Sequence, residues 1–281
     1  MKVLINLLKF ITITILAICI IAIGIIQIGS STILNKNYVI QKLEETNFYG
    51  ETYELVKSNF ENYIYQSGLE EEVLEDICSE EKVKKDINIM LSNIYDGANQ
   101  KIDTTEIADN LNSNIDKQGV RTSQNEKAIQ QFVTHICDEY TNTLIHTQYE
   151  SKINNMYTKV VDIIEKLNKI ILTVLVICII LLIIINKKEI SKDIKNLGMV
   201  LLSASTFDLI VYYIINSKIN IQGIKIFNDT FSKTLVSVLN ELLNKLSLYG
   251  VIALVIAIIA IVIGSIIYAV KNKKSDSDLN T

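Results

Sequence analysis

Residues 10–28 read FITITILAICIIAIGIIQI, a stretch without a single charge and interrupted only by Thr12, Thr14 and Gln27. As a helix rising about 1.5 Å per residue it reaches about 28 Å, enough to cross a hydrocarbon core of roughly 30 Å. Three further runs repeat the pattern. Residues 170–185 (IILTVLVICIILLIII) lie between Lys169 and the pair Lys187 and Lys188, whose stems can snorkel to the two interfaces. Residues 197–215 are weakened by Ser203, Ser205, Thr206 and Asp208, and residues 248–270 complete the set. The fold class that follows is an all-α integral membrane protein with four transmembrane helices and a helical extracytoplasmic domain between spans 1 and 2.

Composition agrees. The 281 residues are 49% hydrophobic, and mean hydropathy is +0.30, more apolar than a soluble domain of this size. Proline and tryptophan are both absent, so long unbroken helices are permitted while the Trp part of an interfacial aromatic belt is missing. Arg121 is the single arginine, which argues against bidentate clamps for phosphate backbones and against nucleic acid as a partner. Net charge is −4, but residues 29–169 hold 24 acidic against 14 basic side chains and the rest of the chain 7 against 13. The two parts are built for different surroundings.

Lysines beside span ends set orientation when counted over short loops. Lys2, Lys9, Lys187, Lys188, Lys192, Lys195, Lys271, Lys273 and Lys274 fall on one side, predicted to be cytoplasmic, although Lys218, Lys225, Lys233 and Lys245 dissent. The expected layout is a cytoplasmic N-terminus (1–9), span 1 (10–28), an extracytoplasmic helical domain (29–169), span 2 (170–186), a cytoplasmic loop (187–196), span 3 (197–216), an extracytoplasmic amphipathic helix (217–247), span 4 (248–270) and a cytoplasmic tail (271–281). Gly29, Ser30 and Ser31 also fit a signal-peptide cleavage site. The preceding run is longer than an ordinary signal core and favours an uncleaved anchor in the plasma membrane.

The outer stretch reads as successive helices. Ser67-Gly68 and Asp96-Gly97 punctuate, Ser79 caps a helix, and Asp103 or Thr104 caps the next, which carries Ile107 and Leu111 on one face. From Ser123 no breaker appears before Asn186, which predicts one continuous helix carrying Ile129, Phe132, Val133, Ile136, Tyr140 and Leu144 as its buried stripe. Phe231, Leu235, Val238, Leu239, Leu242 and Leu246 repeat the spacing ahead of span 4.

Asp208 is the sharpest chemical feature, because a carboxylate within a span is costly and marks a pathway, a relay or a fixed partner. Helical spacing puts Ser205 and Tyr212 on its face as hydrogen-bond partners. The plainer meaning is a polar fastener between helices, and the lack of any lysine or arginine inside an apolar run favours a neutral, hydrogen-bonded Asp208. Ala253, Ala257, Ala260 and Gly264 form a small-residue stripe for close helix packing. Cys19 and Cys178 read as buried apolar thiols. Cys78 and Cys137, in the translocated part, could form one disulfide or serve as core residues on predicted helices. His135 and His146 share a helix face with Glu139, Asn142 and Glu150, yet lie roughly 16 Å apart along one axis and cannot hold one ion there. Glu70, Glu71, Glu72, Glu75 and Asp76 read as a solvated acidic face. No phosphate-binding glycine loop, nucleophile elbow or zinc-protease motif is present, so neither an enzyme nor a cofactor is expected.

The run Asn37-Tyr38-Val39, Leu43, Asn47-Phe48-Tyr49, then Ser67-Gly68-Leu69 and Val83-Lys84-Lys85-Asp86-Ile87, resembles uncharacterised multi-span membrane proteins of low-GC Gram-positive bacteria. The likeness covers span 1 and the first part of the outer domain and implies a source and a location, not an activity. A Lys-, Ile- and Asn-rich, Arg-poor vocabulary agrees with an AT-rich genome. The function expected is a non-enzymatic cell-envelope protein, embedded in the lipid bilayer, whose acidic domain engages a protein partner, a wall component or a second copy of itself. The alternative is an oligomeric transporter or channel subunit in which Asp208 lines the path.

Overall fold

A computed structural model describes residues 2–144, 150–187, 189–226 and 228–277. Among the described residues the chain is all helix and turn, with no strand. It divides into two compact units: a polar unit, Ile33–Val160 with Lys225–Ser237, and an apolar unit, Met1–Thr32 with Val161–Ile224 and Val238–Thr281.

In the polar unit, helix α2 (Lys36–Glu45) follows α1 (Lys2–Ser30), and Asn35 caps it by accepting from the backbone N–H of Asn37 and Tyr38. Asn47, in left-handed conformation, turns the chain into α3 (Phe48–Ser67), which Gly68 ends in the same conformation. After a short 3-10 turn at Glu71–Leu74, Ser79 caps α4 (Glu80–Asp96) by accepting from Lys82 N–H, and Gly97 closes it. Asp103 accepts from Thr105 N–H at 2.9 Å at the start of α5 (Thr105–Lys117), and the Thr105 side chain, followed by this backbone bond, holds its carboxyl below the usual range. The punctuation read from the sequence therefore falls where it is expected.

The last of these helices begins later than its pattern suggests. Arg121 binds Asp116 and Glu126, and Asn125 accepts from the N–H and hydroxyl of Thr122, so a turn occupies 122–125 and α6 runs Glu126–Leu144. A side-chain oxygen that satisfies the local backbone outcompetes helix here. Helix α7 spans Glu150–Ile185 and passes unbroken through Lys166 and Lys169. The expected continuity of α6 with α7, and His146, lie outside the described residues. Most of the core comes from four helices: Val56, Phe60 and Ile64 of α3, Val83, Ile87 and Met90 of α4, Ile107, Leu111 and Ile115 of α5, and Ile129, Val133, Ile136, Tyr140 and Leu144 of α6, with Leu43 of α2 and Val73 of the 3-10 turn packed among them. Residues 150–160 dock on this unit through Asn154, which donates to the Asn93 carbonyl, and Tyr157, whose ring meets Tyr95 edge-on at 4.8 Å. The first turns of α9 (Asp229–Ser277) dock through a Lys233–Glu51 ion pair and a Thr234–Thr46 hydroxyl contact at 2.7 Å.

Among the described residues four helices are long and apolar enough to cross a membrane: α1, α7, α8 (Ile190–Lys218) and α9. Leu16 and Ala17 of α1, Cys178 and Leu182 of α7 and Val200 of α8 form the core of the apolar unit. Elsewhere large apolar side chains lie bare, among them Val176, Ile180 and Ile184 of α7 and Val255, Ile259 and Val262 of α9, a surface suited to lipid and not to water. Helix α8 starts at Ile190, earlier than the 197–216 span, so most of the expected loop 187–196 is helical. The Lys192–Glu189 ion pair and an Asn186–Asp193 hydrogen bond secure this first turn.

Candidate functional site

Asp208 lies on the α9-facing side of α8. A Cβ built on Gly250 of α9 would come within 3.3 Å of Asp208 Cβ and 3.1 Å of the Leu209 side chain. The carboxylate is half-buried, and no hydrogen bond joins it to Ser205 or Tyr212 among the described residues. Ser205, fully buried, instead donates to the Leu202 carbonyl of its own helix at 2.9 Å, while Tyr212 is half-buried on the same face. A serine in a helix surrounded by apolar atoms satisfies itself most cheaply on the turn behind it, which is why the spacing-based partnership with Asp208 is not formed.

The small-residue stripe is part of a larger seam. On α9, Ala257 and Gly264 are buried, with Ala253 and Ala260 half-buried beside them. A Cβ on Gly198 of α8 would meet the Ala257 carbonyl at 3.0 Å and Ile261 Cγ1 at 2.7 Å, and one on Gly264 would meet the Ser191 carbonyl and Lys195 N at 2.9 Å. Small residues thus recur every seventh position on both helices, at Ser191, Gly198 and Ser205 of α8 and at Gly250, Ala257 and Gly264 of α9, and Gly264 meets Ser191 while Ala257 meets Gly198, so the two helices run antiparallel. The α8 half was missed from sequence, and its signal was the heptad spacing of small residues.

In the polar unit, Cys78 and Cys137 are both free in this structure. Cys78 precedes α4 instead of lying on a helix, with its sulfur toward the Ser79 carbonyl, whereas the Cys137 sulfur faces the Thr104 carbonyl. Burial raises both thiols, Cys78 to about 11, and thereby suppresses the reactive thiolate. Beside Cys78 is a buried polar knot that sequence reasoning did not find. Asp86, 1% exposed, accepts from Lys82 Nζ and from the Tyr140 hydroxyl, both at 2.7 Å, and Lys82 also donates to the Asp103 carbonyl at 2.6 Å. Burial, then the bond to Asp86, pushes the Tyr140 phenol far above its ordinary value. An i,i+4 Lys–Asp pair on an amphipathic helix looks like a surface pair in sequence, and only the packing of α5 and α6 reveals it as internal.

Two depressions open on this unit. One, of about 500 Å³, is edged by Tyr53 and Phe60 and carries Glu61, Glu71, Glu72, Glu75 and Asp76 against the single cation Lys57, whose amine sits 5.6 Å from the Tyr53 ring. Most of the acidic run read as a solvated face therefore borders a concave one. The other, of about 470 Å³, is lined by Tyr63, Phe132 and His135, and the His135 ring stacks edge-on against Tyr63 at 4.8 Å. Glu139 accepts from Asn59 and Tyr63 and is engaged in the helix contact. Compared with known proteins, the chain matches no family model, no curated protein and no solved structure, so the likeness read from residues 37–87 assigns no family.

Proposed function

We propose that the chain is a non-enzymatic membrane protein of the cell envelope that holds its acidic helical unit outside the plasma membrane to bind a cationic partner, with both termini in the cytoplasm. The observation that carries this reading is the concave acidic face on a polar unit with a core of its own: five carboxylates and one lysine beside two aromatic rings. Such a surface favours lysine-bearing protein or wall segments by charge and offers ring faces to their ammonium groups. A photo-crosslinking residue in place of Glu72 in the full chain should give a discrete adduct in intact cells, and reversing Glu71, Glu75 and Asp76 to lysine should abolish it. Equal adducts from both, or none from the parent while a probe at Thr134 gives one, would move the binding surface elsewhere.

A second reading rests on Asp208, which the hydrogen bonds among the described residues do not fasten to its own helix face. If it serves a moving cation, Asp208→Asn removes flux from reconstituted protein as completely as Asp208→Leu; if it only holds α8 against α9, the Asn variant behaves as the parent.

A further inference from the structure

A cavity of about 520 Å³ lies within the apolar unit among the first turns of α8, the start of α1 and the last turns of α9, bordered by Lys9, Ser191, Lys192, Lys195, Asn196 and Tyr268. Its depth follows from the chain: Lys9 immediately precedes the apolar run 10–28, Asn196 immediately precedes 197–216, and Tyr268 stands in the last turn of 248–270. That is the headgroup level of a bilayer in which these helices span, the level that tyrosine rings and lysine ends favour. Gly264 allows the two helix backbones to close behind the cavity, since any Cβ there would strike Ser191 and Lys195 main-chain atoms at 2.9 Å.

Two observations point to an occupant. Asn196 is only 2% exposed, and its side-chain nitrogen has no hydrogen-bond partner among the described residues, although a buried donor left unpaired is costly. Around it positive charge is in excess. Lys192 pairs with Glu189 at 2.9 Å, and Asp193 bears on Lys9 while its carboxylate accepts from Asn186 at 2.7 Å. Lys9 and Lys195 make no ion pair among the described residues, and Lys187 and Lys271 add positive charge near Glu189. An anion with several acceptor oxygens would answer both features at once, neutralising the lysines and, once the buried Asn196 amide turns toward the cavity, accepting from its nitrogen. At this depth the bilayer itself presents such a group.

We propose that this cavity is a phosphate site that holds the phosphodiester headgroup of an anionic lipid between Lys9, Lys192 and Lys195, with the Asn196 amide turning from the wall to donate to it. The proposal needs the helices to span a bilayer but is independent of what the polar unit binds. Basic pockets between membrane helices at the lysine-rich face are suited to this ligand by charge and geometry.

The test uses the full chain in nanodiscs of phosphatidylcholine, with or without phosphatidylglycerol, and counts retained lipid by native mass spectrometry. The parent protein should retain phosphatidylglycerol in preference to phosphatidylcholine. Lys9→Gln with Lys195→Gln should weaken that retention on the order of tenfold, and Asn196→Leu, close in size, should weaken it too, while Lys218→Gln leaves it unchanged. A variant that fails to fold is recognised by its melting in pure phosphatidylcholine, and the selectivity of the parent then decides alone. Equal retention of the two lipids by the parent, or retention by folded Asn196→Leu and the lysine variant equal to the parent's, overturns the site. Inorganic phosphate that displaces phosphatidylglycerol and raises the melting temperature in pure phosphatidylcholine assigns the cavity to a soluble phosphate and overturns the lipid source.

Discussion

At the residue scale the most consequential group is Asp86, a carboxylate buried with a lysine and a phenol instead of facing water. Asp86→Ala leaves the Lys82 ammonium, with only 9% of its side chain exposed, facing the Asp103 carbonyl and the Tyr140 ring without a counter-charge, and removing one member of a buried pair costs about 3–5 kcal/mol. Tyr140→Phe removes one hydrogen bond while the ion pair survives, a loss of about 1–2 kcal/mol. With no tryptophan in the chain, intrinsic tyrosine fluorescence during denaturant unfolding reads both values. A Tyr140→Phe variant as damaged as Asp86→Ala would show that the phenol, not the charge pair, carries the knot. The same chemistry fixes the alkaline limit. Burial raises Tyr49 and Tyr95 from 10.0 to about 12, so the folded chain keeps these protons longer than the unfolded one. Their contribution is complete below pH 10 and is lost as the pH rises through 12, the sign expected of groups whose folded value is raised. Phenolate absorbance should therefore lag for part of the tyrosines and then appear together with unfolding. An unbroken titration centred near pH 10 would contradict their burial.

At the element scale, helix ends were well marked because caps are local chemistry: Ser79, Gly68 and Gly97 act within a few residues of themselves. Two boundaries were not, and both for side-chain reasons. Asn125 and Arg121 build a turn that hydrophobic periodicity does not register, and polar first-turn contacts carry α8 back to Ile190 through residues too charged to read as part of a span. That second miss hid half of the α8–α9 seam, since Ser191 lies in the stretch taken as loop and Gly198 at its edge. The seam makes a sharp contrast between glycines. Gly24 and Gly29 of α1 have no atom within 4 Å of an added Cβ, so alanine there should be neutral or should stabilise by up to about 1 kcal/mol. Gly198→Val instead drives a branched side chain against the Ala257 carbonyl and Ile261, and should cost about 1–3 kcal/mol as α8 and α9 are forced apart. Melting temperatures of the three variants in detergent separate the cases. A Gly198→Val protein as stable as Gly24→Ala would mean that the two helices do not pack through these residues.

At the scale of the whole molecule, charge and hydropathy divide the chain in the same way as its compact units, because a sequence that must satisfy two solvents writes the division into its composition. What composition does not encode is which side is which, and there the lysines bear the argument. Lys9, Lys192 and Lys195 come together around one cavity with the C-terminal turns of α9, and Lys187 closes α7 a few residues from the start of α8. Helices that span alternately bring the beginnings of α1 and α8 and the ends of α7 and α9 to one face, and cytoplasmic loops are the ones enriched in lysine. The long acidic stretch gives no contrary vote, since large translocated domains escape the rule. With Cys19, Cys78, Cys137 and Cys178 replaced by serine or alanine, a cysteine introduced at Asn99, an exposed turn residue of the polar unit, should react with a membrane-impermeant maleimide in intact cells. A cysteine at Lys271 should react only after the cells are opened. A lysine-rich face turned outward would give the reverse pattern. It would also remove the cationic-partner reading, because the acidic depression would then face the cytoplasm and the partner would have to be sought there.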